Sequence, residues 1–480
     1  MSKDAPSLRK AVVIQFGAKY LNVIIQIGLT MILARLLAPE VHGTMAIVTV
    51  FISLFSIISN MGISAAVVQY RDLDLEDCSA LFSFTLFLGL GLLALFCLVS
   101  LPISLLYSDA MLVPYMCFGS LSVLFNAINM VPNGLLMREK RFMALGLRLV
   151  ISSVVSGAIS VVLAMQGFGV YALVASNVLQ AGVSCMWNLA ASHIKLGRWH
   201  FMRPLRRIFK FSAFQFGSQL VQYFARHFDN MAIGFAFGNA ALGVYDKGYK
   251  LAKYPIEIIP STLNPVLKSF FSAAQDDAEA FFDLYFKVEK ALSVCGCFIT
   301  AFCVASAEGL ILLAFGDQWT NAIPVFRWLS VSIVFQMVNY VVFSVLEGLK
   351  RTDYLFRLTL ITTAVIIGLL LIGCAIGNLE LTAALVSLGF VLFTVPNLYY
   401  VIHKAFGKSV VAWLKGFAPE FISGIVVLVA LFALDTVLPC GPIATMFINL
   451  GVAVVIYALL MWRLGQLGYL KMLVRGKKKK

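Results

Sequence analysis

The sequence predicts an all-α polytopic membrane protein of about 14 transmembrane helices, two six-helix lobes related by a parallel repeat plus two C-terminal helices. Three observations predict it. The 480 residues are 61% hydrophobic and only 12% charged, with mean hydropathy +0.92, whereas a soluble domain is about half apolar and about a quarter charged. Apolar runs of about 20 residues recur along the chain, the length that crosses roughly 30 Å of hydrocarbon as a helix. Finally, sliding the chain by 200 residues places Lys10 on Lys210, Gln15-Phe16-Gly17 on Gln215-Phe216-Gly217, Met31 on Met231 and Gly43 on Gly243.

The first lobe, 1–195, holds candidate spans near 11–34, 41–68, 78–105, 111–136, 142–166 and 168–192. The first run is long and lacks a small-residue cleavage site, so it reads as a retained span rather than a signal peptide. The stretch HIKLGRWHFMRPLRRIFK (193–210) carries a basic inter-lobe linker at 196–207. The second lobe, 208–405, holds spans near 208–236, 240–267, 287–315, 322–348, 354–376 and 379–402, of which the first two are the least hydrophobic. The 200-residue shift maps the first span onto the seventh and the second onto the eighth, so the copies share an orientation about an axis along the membrane normal. A further helix pair, near 416–438 and 442–463, fills 406–463, and a basic tail closes the chain at 464–480. SAAQDDAEAFFDLYFK (272–287) reads as a short amphipathic helix at the inner surface. The ten-residue alternation of a membrane β-barrel is missing from the pattern.

The net charge of +14 sits between spans, which makes it a topology signal rather than a nucleic-acid footprint. With the N-terminus in the cytoplasm, 29 of the 37 Lys and Arg residues fall on inner connections, Lys287 and Lys290 among them. Arg35 alone falls on an outer one. Both termini are therefore expected in the cytoplasm. The nine cysteines lie mostly in apolar runs without metal-ligand spacing, so they read as packing residues, and no metal is expected. The sequence has no Walker A loop, no H-E-x-x-H and no dinucleotide fingerprint. No catalytic residue and no cofactor follow from it, and H+ or Na+ remains open as a coupling ion.

Charge inside the spans is the strongest functional signal. RHFDNMAIGFAFGNAALGVYDKGYKLAKYPIE (226–257) carries Arg226, Asp229, Asp246, Lys247, Lys250, Lys253 and Glu257. A charge at a helix centre costs about 2.5–3.5 kcal/mol on insertion scales, so seven facing lipid would cost on the order of 20 kcal/mol. These residues are expected to line a water-filled space. Asp246, Lys250, Lys253 and Glu257 share one helix face by their 4, 3, 4 spacing, which also allows two i,i+4 ion pairs that merely neutralise one another. Arg226 and Asp229, three apart, can pair. Lys19 stands in a stripe with Gln15, Asn22 and Gln26. Arg35 ends the first span, and Arg148 lies near the end of the fifth, where either can snorkel. The expected set, Lys19, Arg226, Lys247, Lys250 and Lys253 against Asp229, Asp246 and Glu257, is net basic and suited to an anion such as phosphate.

ILARLLAPEVHG (32–43), DNMAIGFAFGNAALGVYDKGYKLAKYP (229–255), NPVLKSFFSAAQDD (264–277) and FGDQWTNAIPVFRWLS (315–330) resemble the polysaccharide transporter branch, the Wzx-type flippases, of the MOP superfamily. The resemblance implies two six-helix lobes around a central cavity, alternating access, and an undecaprenyl-diphosphate-linked oligosaccharide as substrate. That oligosaccharide is an exopolysaccharide, O-antigen or colanic-acid-like repeat unit, moved from the inner to the outer leaflet of the bacterial inner membrane. A substrate-binding role passes by this resemblance to Lys19, Arg226, Lys250 and Lys253, and further to Lys247, Arg35 and Arg148. Asp229, Asp246 and Glu257 take ion coupling or charge balance. A polysaccharide polymerase and export machinery are the implied partners of a monomer in the lipid bilayer. The alternative, a drug or metabolite/cation antiporter of the same superfamily, would want carboxylates in the first lobe, where the first span offers Lys19 and amides.

Overall fold

In a computed structural model, the residues described are 8–70, 72–197, 201–273, 278–349, 351–437, 440–466 and 468. Apart from Gly468, the tail beyond 466 lies outside them, as do 274–277 of the expected surface helix and 198–200 of the linker. Every extended element among the described residues is a helix. The chain divides into two compact units, Met1–Gly243 and Val244–Lys480.

The first unit opens with α1 (Leu8–Leu36), which packs along α7 (Phe142–Met165). The second expected span is two helices, α2 (Pro39–Asn60) and α3 (Ile63–Gln69), separated where Met61 and Gly62 adopt left-handed φ values of 36° and 71°. Glycine carries that conformation freely and methionine does not, so the break is held by its surroundings. Asp74 then caps α4 (Leu75–Leu106) by accepting from the Asp77 amide at 2.6 Å. The fourth expected span is likewise split, into α5 (Leu112–Ile128) and α6 (Met130–Arg138). α8 (Val170–Ser192) packs against α5 and α7. Beyond it the basic linker is pinned to the start of α4. Gly197 donates to the Ser79 carbonyl at 3.2 Å, and Arg207 reaches Asp72 at 2.8 Å and Asp77 at 3.5 Å.

α9 (Met202–Ala273) then runs for 72 residues and is broken at Gly238, whose φ of 79° no helix contains. Its two arms are the seventh and eighth expected spans, and the unit boundary falls five residues after the break. Two glycines related by the 200-residue shift meet beside this break. A Cβ on Gly43 would lie 1.6 Å from the Asn239 carbonyl oxygen, and one on Gly243 would lie 2.1 Å from that of Pro39. Since 39 maps onto 239 and 43 onto 243, the contact is reciprocal.

The second unit continues with α10 (Ala278–Ala305), α11 (Ala307–Phe315), α12 (Ala322–Val331), α13 (Ile333–Gly348), α14 (Thr352–Ile376) and α15 (Leu379–Tyr399). α16 (Val410–Val437) and α17 (Pro442–Arg463) complete it, both packed on α10. Eleven of the described helices are long and apolar enough to cross a membrane, or twelve if α12 and α13, bent by 43°, form one span. The protein is a multi-pass membrane protein. The expected fourteen exceeds the larger of these numbers by the two arms of α9, which carry twelve charged residues and several amides and are less apolar than the other spans. A second correction concerns Lys287 and Lys290. They do not lie in a connection: both are on α10, and Lys290 is buried.

Candidate functional site

The first unit holds an open cavity of about 660 Å³. Its walls come from helices whose polar residues recur three and four apart, so that each helix turns one polar stripe inward. α2 supplies Thr49, Ser53 and Ser56, and α5 supplies Ser122 and Asn126. α8 supplies Asn177, Gln180 and Ser184, while the first arm of α9 brings Gln219, Gln222, Tyr223 and His227. The Tyr223 hydroxyl donates to the Val50 carbonyl of α2, and its ring lies 4.7 Å from that of His227. α2, α5 and α8 are still apolar enough overall to read as ordinary spans, whereas this arm of α9 is not.

Arg148 of α7 also faces the cavity. It reaches into an adjoining space of about 320 Å³ that shares Ser56, Asn126 and Asn129 and adds Asn60, Ser64 and Asn133. Its Nη1 donates to Asn133 Oδ1 at 2.8 Å, whereas its Nε is buried without a partner. The amides around it are cross-bonded. Asn188 Nδ2 donates to Asn129 Oδ1 at 2.8 Å, and Asn126 Nδ2 donates to Ser56 Oγ at 3.1 Å. A guanidinium offers five donors in a planar fork suited to a phosphate or to paired oxygens, and amides and hydroxyls both give and accept. Chemically the space suits a polyhydroxylated ligand with an anionic group.

Of the residues singled out in the sequence, Arg148 lines this cavity. Lys19 and Arg35 are exposed on α1 and are not among its lining residues. One of the amides near Lys19 does reach α7: Gln26 Nε2 donates to Ser153 Oγ at 3.4 Å, a hydroxyl that also receives Gln180 Nε2 at 3.2 Å. The side chain of Arg226 lies outside the described residues. Asp229 is half-buried and accepts from the Asn230 amide at 2.9 Å. In the second unit, Lys250 Nζ lies 2.7 Å from Asp246 Oδ2, and Lys253 Nζ lies 3.2 Å from Glu257 Oε1. Both i,i+4 pairs that the spacing allows are therefore formed. Lys247 is buried, with its Nζ 5.8 Å from the ring centroids of both Phe315 and Trp319. Sequence reasoning passed over Ser53, Ser56, Asn126, Asn129, Asn177, Gln180 and Ser184. Their signal was polar residues at helical spacing, fainter than charge but present.

Comparison with known proteins follows the same lines. A family model described as polysaccharide biosynthesis protein matches residues 32–324. The succinoglycan biosynthesis transport protein ExoT of Rhizobium meliloti is 25% identical over 379 residues, covering 76% of this chain and 72% of that protein. The lipopolysaccharide biosynthesis protein WzxC of Escherichia coli is 23% identical over 444 residues, covering 88% and 87%. Among solved structures, the lipid II flippase MurJ in an inward closed conformation superposes with a TM-score of 0.77 at 12% identity, covering 96% of this chain and 100% of MurJ. That likeness establishes a MurJ-type fold, and these relatives place the chain with transporters rather than enzymes. The chain belongs to the polysaccharide biosynthesis protein family.

Proposed function

We propose that the protein is a flippase that moves a polyprenyl-diphosphate-linked oligosaccharide from the inner to the outer leaflet of a bacterial inner membrane, with both of its termini in the cytoplasm. The observation that carries this reading is the cavity of about 660 Å³, walled by amides and hydroxyls around Arg148, within a membrane-spanning unit. A diphosphate-sugar headgroup cannot enter hydrocarbon without losing its hydration, and each unreplaced polar group costs roughly 2–7 kcal/mol. Amide and hydroxyl walls replace that water at little cost, and an arginine fork answers the phosphate. Opening this space first to one face and then to the other carries the headgroup across while the lipid tail stays in the bilayer. On this reading the monomer hands its product to a polysaccharide polymerase and export machinery. A cation antiporter would place carboxylates in the cavity, and the described lining residues hold none.

Deleting the gene and analysing lipid extracts by mass spectrometry tests the proposal. A polyprenyl-diphosphate oligosaccharide is expected to accumulate, with polymer export restored by the wild-type chain. Unchanged export with no accumulating intermediate would overturn it.

A further inference from the structure

The most completely buried charges among the described residues lie in the second unit. Glu289 and Lys290 are neighbours on α10, Glu420 is on α16, and they are 0%, 2% and 0% exposed. Lys290 Nζ lies 2.6 Å from Glu420 Oε1 and also donates to the Gly416 carbonyl, so these two charges neutralise each other. Glu289 is placed differently. Its Oε1 accepts from the Tyr285 hydroxyl at 2.8 Å and its Oε2 from Trp413 Nε1 at 3.0 Å. Both partners are neutral, so the cluster holds two carboxyl groups against one ammonium among the described residues.

The helices that carry this cluster, Glu279–Ala305 and Val410–Val437, are each apolar enough to cross a membrane. A carboxylate buried there without a cation is held at a cost that one proton removes. Among the described residues no charged side chain bonds to it: Lys287 of its own helix pairs with Asp283, and Lys408, on the segment whose Phe406 stacks on Tyr285, pairs with Glu279. The other titratable groups on the helices packed against α10 are Glu308 on α11, Arg327 on α12, Tyr340 on α13, Lys415 and Asp435 on α16, and Tyr457 and Arg463 on α17. Glu289 bonds to none of them, and Tyr457 is engaged with the Val294 carbonyl at 2.8 Å. The side chain of Glu347 on α13 lies outside the described residues.

We infer that Glu289 is a proton-binding site in the second unit, its carboxyl taking up and releasing one proton at Oε1 against the Tyr285 hydroxyl, and that this exchange accompanies cargo movement. The partners fix the atom. An indole N–H only donates, so Oε2 remains an acceptor in both charge states. A phenol hydroxyl donates to a carboxylate and, rotated, accepts from a carboxylic acid. A proton drawn from water onto Oε1, and later returned to water, is therefore accommodated with the heavy atoms in place: the Tyr285 hydroxyl rotates, and its bond to Oε1 is replaced by one from the Oε1–H to the phenol oxygen. Link to cargo rests on the flippase reading; the proton site itself does not.

Two measurements separate these claims. Infrared difference spectra of the full-length protein in lipid, recorded through a pH titration, should show the carbonyl band of a buried protonated carboxyl. The band should vanish in Glu289→Gln and move in Tyr285→Phe, which keeps the carboxyl and removes its hydroxyl partner. An unchanged band in either variant overturns the site. Polymer export by the wild type should fall when a protonophore collapses the proton gradient, and residual export in Glu289→Gln should no longer respond. Equal protonophore sensitivity in both overturns the coupling. If deletion of the gene leaves no lipid-linked intermediate while the band still tracks Glu289, the cargo assignment fails and the proton site stands.

Discussion

The two units handle polarity in opposite ways. In the first, the cavity is lined by neutral amides and hydroxyls, with Arg148 as the cation among the described lining residues and with polar atoms, such as Arg148 Nε, left without partners. In the second, lysines and carboxylates are paired with one another: the buried Lys290 with Glu420, and the more exposed Lys250 with Asp246 and Lys253 with Glu257. A neutral amide or hydroxyl trades one partner for water or sugar at little net cost, because each hydrogen bond is worth only about 0.5–1.5 kcal/mol net. A buried ion pair cannot make that trade, since separating it leaves a bare charge in a low dielectric. The contrast suits the first unit to contacting a hydrated cargo and the second to holding charge in fixed places.

Breaking the most committed pair should have the largest effect. Lys290→Met leaves Glu420 buried without its cation and is expected to cost about 3–5 kcal/mol. The double variant Lys290→Met with Glu420→Leu removes both charges and should recover most of that loss, because apolar replacement of a whole buried pair is often neutral or better. Thermal unfolding of the purified proteins in detergent reads both. A single variant as stable as the wild type would show that the pair is not a structural commitment.

Arg148 comes next. Arg148→Ala removes a charge-assisted donor set worth about 1.5–3 kcal/mol, which corresponds to a fall in export of roughly tenfold to a hundredfold. Arg148→Lys keeps the charge but loses the planar fork held on Asn133, and should lie between. Polymer output is to be scaled to the amount of protein in the membrane fraction. Full export by Arg148→Ala at normal abundance would remove the cavity from the transport path.

The fold behind this contrast is more legible in the chain than the contrast itself. The helical membrane fold followed from apolar length, and the positions of most spans followed with it. What stayed hidden depended on partners distant in sequence. Lys290 reads as a loop lysine because its partner Glu420 lies 130 residues away. Ser53, Asn126 and Gln180 are unremarkable one at a time and become a site only when α2, α5 and α8 turn them toward one space. Conversely, the charges of 246–257 give a far stronger signal in the sequence than those amides, because a charge in an apolar span costs more than a neutral polar group. The 200-residue shift was legible through Gly43 and Gly243, but the reason for glycine was not. Each sits where a side chain would strike the backbone of the other copy's segment.

That reciprocity gives a third, smaller test. Gly43→Ala and Gly243→Ala each force a methyl group onto a carbonyl oxygen, an overpacking expected to cost about 1–3 kcal/mol. Because the two contacts mirror each other across the break at Gly238, the two variants should lower the unfolding midpoint by similar amounts. A large loss at one and none at the other would show that the sequence repeat is not repeated in the packing.

The smallest effect on stability is expected at Lys253 and Glu257, whose side chains are 40% and 61% exposed. An exposed i,i+4 pair contributes about 0.3–0.5 kcal/mol, so Lys253→Ala should leave the unfolding midpoint nearly unchanged. That makes it a clean probe of function, because lost export could not be ascribed to lost protein. The anion-binding role expected from the sequence requires export to fall in Lys250→Ala and Lys253→Ala and to be abolished in the double variant. Lys250→Ala also exposes Asp246, 8% accessible, to the loss of its partner, so its stability must be measured alongside. Should the single and double variants all export normally, the charges of this arm serve to neutralise one another. The second unit would then contribute its buried carboxyl to transport, with contact to the cargo left to the amide-lined cavity of the first.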